Sequence, residues 1–113
     1  MLIYKIISKA LWQDAEKTGA FHGAPVDLAD GFIHFSTAAQ VHETARRHFK
    51  GQSDLLLLTI DDHDLGEALI YEPSRGGDLF PHLYGPLATT LVKRVVPLPM
   101  LSDDTHDFDG LLP

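Results

Sequence analysis

Two stretches of the chain carry polar side chains where a purely structural protein would not need them. The first is His34-Phe35-Ser36-Thr37. An imidazole on a strand, followed by two hydroxyls and the free backbone amides of a helix start, offers one patch of donors and acceptors suited to a ribose or a phosphate. The second runs from Glu72 to Tyr84. Arg75 beside Gly76-Gly77 sets a guanidinium on backbone that can take positive φ and approach a ligand closely, while Glu72 can orient a hydroxyl or accept a proton. An anionic sugar would satisfy both. His82 and Tyr84 are two apart, so extended backbone sends both side chains to one face, with prolines on either side to stiffen it.

Each feature also has a plainer reading. A strand histidine is commonly a satisfied, half-buried residue, and Thr37 is accounted for by helix capping alone. Glu72 and Arg75 can be an exposed pair on a surface loop, worth well under about 1 kcal/mol.

Other chemistries fit the residue spacing poorly. There are seven histidines, but no pair shows the i, i+4 spacing of a helical zinc motif. His42 and His48, six apart, fall about 240° round a helix from each other. His63 among Asp61, Asp62 and Asp64 reads as a solvated turn without the spacing of a calcium loop. No metal site is expected. Cysteine is absent, which excludes disulfides and thiolate nucleophiles, and neither Ser36 nor Ser74 stands in a Gly-x-Ser-x-Gly elbow.

The elements that must position these groups follow from the patterning. Leu2 to Ile7 is a β-branched and aromatic run that predicts a strand, and Ser8 can cap a helix over 8–19 that buries Leu11, Ala15 and Trp12 and stops at Gly19. From Phe21 to Gly31 no period is sustained, which predicts a connecting loop. Gly31 to Ser36 is a second strand, with Phe32, His34 and Ser36 on one face and Ile33 and Phe35 on the other. Thr37-Ala38-Ala39-Gln40 matches a capping box and predicts a helix over 38–49 with Val41, Ala45 and Phe49 as its buried stripe.

Asp54 to Ile60 is apolar on both faces, the mark of a central strand, and Ala68 to Glu72 is another extended run. The stretch from Glu72 to Leu87 is expected to be largely irregular, because three prolines and three glycines interrupt it. Thr89 to Val96 is a last strand. One domain over 1–101 is expected, followed by a mobile acidic tail over 102–113.

At 113 residues the chain has room for one domain. Its longest aliphatic run, Leu55 to Leu58, is far shorter than the roughly 20 residues needed to cross a bilayer, so no membrane association is expected. A net charge of -7 argues against non-specific nucleic-acid binding. Four of the carboxylates fall between Ser102 and Asp109, which leaves a small basic pocket feasible elsewhere. No secretory signal is evident at Met1 to Lys5, so the cytoplasm is the expected location.

Three segments carry a family resemblance: Asp30-Gly31-Phe32-Ile33-His34-Phe35-Ser36-Thr37, Asp54-Leu55-Leu56-Leu57-Leu58, and Glu72-Pro73-Ser74-Arg75-Gly76-Gly77 with Phe80-Pro81-His82-Leu83-Tyr84-Gly85-Pro86-Leu87. In these the chain resembles the small bacterial DUF952 family over nearly its whole length to about Pro99. That family is similar in fold to the ADP-ribosyltransferases, which implies an α+β domain of two small packed sheets with flanking helices and a cleft for NAD. It also implies that His34 with Ser36 and Thr37 supplies a polar edge, that Glu72 acts as the acid, and that Tyr4-Lys5 loosely resembles a first-strand ligand motif. The Ser-Thr-Ser triplet of many such enzymes is missing.

Cleaving a glycosidic bond to nicotinamide needs a carboxylate and a cation close together in a cleft, and Glu72, Arg75, His34 and His82 supply that set. The expected catalytic residues are Glu72, His34 and His82. Ser36, Thr37, Arg75, Tyr84, Tyr4 and Lys5 are the expected ligand contacts, with NAD or an ADP-ribose-like nucleotide as the small-molecule partner. Two alternatives stay open: a non-catalytic binding or regulatory module, and a partner-binding scaffold presenting Phe80, Leu83 and Leu87 as an apolar surface. A glutathione-transferase role is disfavoured by length.

Overall fold

A computed structural model describes residues 1–113. Strand β1 (Leu2–Ser8) pairs antiparallel along its whole length with β5 (Leu55–Asp61), from Leu2 opposite Asp61 to Ser8 opposite Leu55. Strand β4 (Ser36–Thr37) lies on the far side of β1 and β9 (Val92–Leu98) on the far side of β5, giving a four-stranded sheet in the order β4-β1-β5-β9. Because β5 is apolar at successive positions, both faces are covered. Leu56, Leu58 and Ile60 enter one core cluster with Trp12 and Ala15, whereas Leu55 and Leu57 enter a second with Val41 and Ala45.

A smaller sheet has the order β3-β7-β6, from β3 (Ile33–His34), β6 (Leu69–Pro73) and β7 (Leu79–Leu83). A ribbon of β2 (Ala20–Phe21) and β8 (Leu87–Ala88) completes the strands. The chain is therefore an α+β domain of antiparallel sheets and short helices. No helix is long and apolar enough to cross a membrane.

Helix α1 (Lys9–Thr18) sits between the caps expected for it: the Ser8 hydroxyl accepts from the Leu11 amide at 3.2 Å, and Gly19 closes the helix at φ 87°. The stretch over 33–37 departs from a single strand in an informative way. It divides at Phe35, with His34 in the smaller sheet and Ser36 in the larger. Its alternation still holds, since Ile33 and Phe35 enter the core.

Four expectations are corrected. The segment over 21–31 is not a plain loop, because it carries β2 and a six-residue helix α2 (Pro25–Asp30), too short to show a period. Helix α3 (Val41–His48) starts three residues late: Gln40 accepts from the Thr37 amide at 3.0 Å, but Thr37 is held in β4 opposite Ile3 and does not cap. The stretch after Glu72 contains β7, in which Pro81 is tolerated because β3 has ended at His34 and the Pro81 carbonyl accepts from the Phe35 amide at 3.0 Å. The last strand begins at Val92 and continues through Pro97 to Leu98, which a sheet edge permits.

Past Leu101 the chain folds back onto the domain. His106 and Phe108 are buried, Phe108 within the second core cluster, and the His106 ring meets the Gln52 carbonyl at 2.8 Å. Phe80, Leu83 and Leu87 are buried too, so they form no exposed apolar surface.

Candidate functional site

The division of residues 33–37 between two sheets opens a cleft where they meet, with α2 and α3 as its other walls. His34, Ser36, Arg75, His82, Tyr4 and Lys5 all line this one cavity of about 260 Å³. Thr37, Glu72 and Tyr84 lie outside its lining. Six of the nine residues singled out in the sequence thus converge, from β1, β3, β4, β7 and the turn over 75–77.

Lys5 falls on the same face of β1 as Ile3 and Ile7, so its ammonium is carried into the core side of the sheet. Asp27 meets it there, with Lys5 Nζ at 3.1 and 3.0 Å from its two oxygens. The same buried carboxylate accepts from the Ala24 amide at 2.8 Å and the His34 amide at 3.1 Å, and faces His34 Nδ1 at 2.6 Å. Burial opposes its ionisation. The His34 hydrogen bond, the Lys5 charge and the two amides outweigh that cost and bring its pKa down to about 2. Burial also pushes the Lys5 pKa down against the pull of Asp27. Asp27 is held ionised, because four separate donors stabilise its charge. On the cleft side His34 Nε2 lies 2.9 Å from Asp30 Oδ2, so the ring spans two carboxylates and donates to both at once only when doubly protonated.

His82 is nearly inaccessible, and its Nδ1 lies 2.8 Å from Glu72 Oε1. The same oxygen accepts the Tyr84 hydroxyl at 2.7 Å, as the two-residue spacing of His82 and Tyr84 predicts. Hydrogen bonds from Tyr84 and His82 hold the Glu72 carboxyl below its ordinary range. With Nδ1 donating, the His82 ring keeps an Nε2 lone pair that no protein group takes up. Phe32 stacks on the ring at 4.0 Å and fixes its plane. Glu72 reaches the cleft through His82.

Arg75 lies over the Phe80 ring at 4.8 Å and reaches Thr44 Oγ1 at 3.4 Å. Thr44 Oγ1 is 2.8 Å from Ser36 Oγ, which links cation and hydroxyls in one row. Tyr4 stands opposite Ser36 in the register. Its hydroxyl is buried without a partner, and burial raises its pKa against the effect of Arg94.

Asp27, Asp30, Phe32 and Thr44 were not singled out from the sequence. The available signal for the first two was Pro25 followed by Asp27, a proline at the first helical position and an acid at the third, which marks a helix start inside the supposed loop. Asp61, Asp62 and His63 do converge, but Asp62 takes the N-terminal ammonium at 2.8 Å and Asp61 lies 3.6 Å from it.

A family model described as a protein of unknown function, DUF952, matches residues 6–95. The chain belongs to the DUF952 family. Among solved structures it is similar to the crystal structure of protein CC0527 from Caulobacter crescentus, at 47% identity and a TM-score of 0.96, covering 98% of this chain and 97% of that one. The solution structure of CC0527 gives 48% identity and a TM-score of 0.88, over 98% and 96% of the two chains. No curated protein matches. The DUF952 description names no activity, so the chemistry must be argued from the cleft.

Proposed function

We propose that the cleft binds NAD or an ADP-ribose-like nucleotide and that the DUF952 domain is ADP-ribosyltransferase-like, acting in the cytoplasm. One observation carries the reading: His34, Ser36, Arg75 and His82, drawn from both sheets and a turn, surround a single cavity. Such a cavity pairs hydroxyl acceptors with a cation, as a ribose linked to phosphate requires.

The chemistry that fits is scission of the bond between the ribose anomeric carbon and the nicotinamide nitrogen. The bonding pair leaves with nicotinamide, a nucleophile's oxygen bonds the carbon, and the proton lost from that oxygen passes to His82 Nε2. Glu72, hydrogen-bonded to Nδ1, orients the ring so that Nε2 faces the cleft. In this scheme Glu72 is a positioning residue, and the carboxylate nearest a developing sugar cation is Asp30.

Titration with NAD and with ADP-ribose tests the reading. Ligand at 100 times its dissociation constant adds about 2.7 kcal/mol to stability, which thermal unfolding resolves. No stabilisation by either at millimolar concentration contradicts it. The position of Glu72 outside the cavity lining favours a second reading, a module that binds the nucleotide without turning it over. Binding with no release of nicotinamide selects that alternative.

A further inference from the structure

The cavity, at about 260 Å³, is smaller than the roughly 300–1,000 Å³ of pockets that enclose a drug-sized ligand, so it encloses only part of a dinucleotide. Its charge is divided along the segment over 33–37. At residue 34 the ring meets the Asp30 carboxylate, whereas at residue 36 the hydroxyl joins Thr44 and the Arg75 guanidinium. Two residues of extended chain, roughly 6.6 Å, separate these positions.

Arg75 has no carboxylate within ion-pair distance, whereas Lys5, the other Lys or Arg side chain of the lining, is fully paired. Glu43 and Asp78 attract the Arg75 charge from outside ion-pair range, while Arg46 and Arg47 repel it. A partly buried guanidinium with spare donors, stacked on an aromatic ring beside two hydroxyls, is built to receive a planar or tetrahedral oxyanion. Asp30, with an oxygen turned to His34 and a second one free, repels such an anion and accepts from hydroxyls.

We infer that the enclosed part of the ligand is a phosphorylated sugar of pentose size, its phosphate on Arg75 beside the hydrogen-bonded Ser36 and Thr44 hydroxyls and its ring hydroxyls on the free oxygen of Asp30. This rests on the proposed reading of the cleft as a ligand site and deepens it: the sugar phosphate is sufficient for recognition, and no base is needed.

Calorimetric titration of the full chain with ribose 5-phosphate, ribose, inorganic phosphate and ADP-ribose tests the inference, using the wild type, Arg75→Gln and Arg75→Lys. Ribose 5-phosphate should bind at least about tenfold more tightly than either ribose or phosphate alone. Arg75→Gln should abolish its advantage over ribose while leaving ribose itself unaffected, and Arg75→Lys should restore part of that advantage. Equal binding of ribose 5-phosphate and ribose, equal binding of ribose 5-phosphate and inorganic phosphate, or an advantage that survives Arg75→Gln overturns it. Binding of ADP-ribose without ribose 5-phosphate overturns this inference and leaves the nucleotide reading intact. The reverse pattern supports the sugar-phosphate site and removes the nucleotide reading, and silence from every ligand removes both.

Discussion

Glu72 Oε1 accepts from two groups at once, His82 Nδ1 at 2.8 Å and the Tyr84 hydroxyl at 2.7 Å, so one carboxylate oxygen on an edge strand determines how a buried imidazole is held. In the proposed reaction the ring is the reactive group and the carboxylate its support, a division of labour the residue types alone do not reveal.

Glu72→Gln should therefore act on chemistry more than on folding. The amide oxygen still accepts both hydrogen bonds, but the carboxylate charge beside His82 Nδ1 is gone. In the proposed reaction, nicotinamide release from NAD should fall by roughly 10²-fold or more. The urea midpoint should stay close to that of the wild type, because the carboxylate is partly exposed. Steady-state release assays alongside urea denaturation check both halves.

Stability should depend steeply on Asp27, the buried carboxylate on which Lys5, His34 and two amides converge. Asp27→Asn strands the buried Lys5 ammonium and should destabilise the fold by roughly 3–5 kcal/mol. Lys5→Met should cost less, since His34 and two amides still serve the carboxylate. The Asp27 pKa falls from 3.8 to about 2 on folding, so its ionisation stabilises the native state by about 2 kcal/mol at neutral pH. That contribution is complete above about pH 4 and is lost as the pH falls towards 2. Chemical denaturation across pH 2 to 5 should show a steeper slope in the wild type than in Asp27→Asn, the remainder coming from carboxyls such as Glu72 and Asp62 that are also held below their ordinary range.

The C-terminal segment should prove part of the domain. Phe108 is 7% exposed, in contact with the second core cluster and 4.4 Å from the His42 ring. Phe108→Ala should destabilise by roughly 3–5 kcal/mol, and ending the chain after Leu101 should cost at least as much. Equilibrium unfolding of the two variants gives the comparison.

Phe32→Leu should loosen the His82 ring without opening the core. The stack at 4.0 Å and 25° is worth about 0.5–1.5 kcal/mol beyond area burial. The ring-proton resonances of His82 should move downfield as the Phe32 ring current is lost, while the amide spectrum of the larger sheet stays in place.

Much of this architecture was legible in the residues. Leu55 to Leu58 declared a strand covered on both faces, Ser8 and Gly19 bracketed α1, and the alternation from Ile33 to Ser36 put His34 and Ser36 on the cleft side. Short elements were not legible, since six residues of α2 complete fewer than two turns and cannot show a 3.6-residue period. Asp27 therefore falls in a stretch with no visible period, and nothing local marks it as the partner of Lys5. Pro81 misled because a proline argues against a strand unless the neighbouring strand ends beside it, a tertiary fact. Phe108 was hidden by the acidic residues around it.

The central claim is that the groups around the cleft form one ligand site, and amide chemical-shift mapping during titration with ADP-ribose tests it most directly. The account predicts saturable shifts concentrated at His34, Ser36, Thr44, Arg75 and His82, with the turn around His63 unmoved. Shifts gathered elsewhere, or a spectrum unchanged at millimolar ligand, would contradict it.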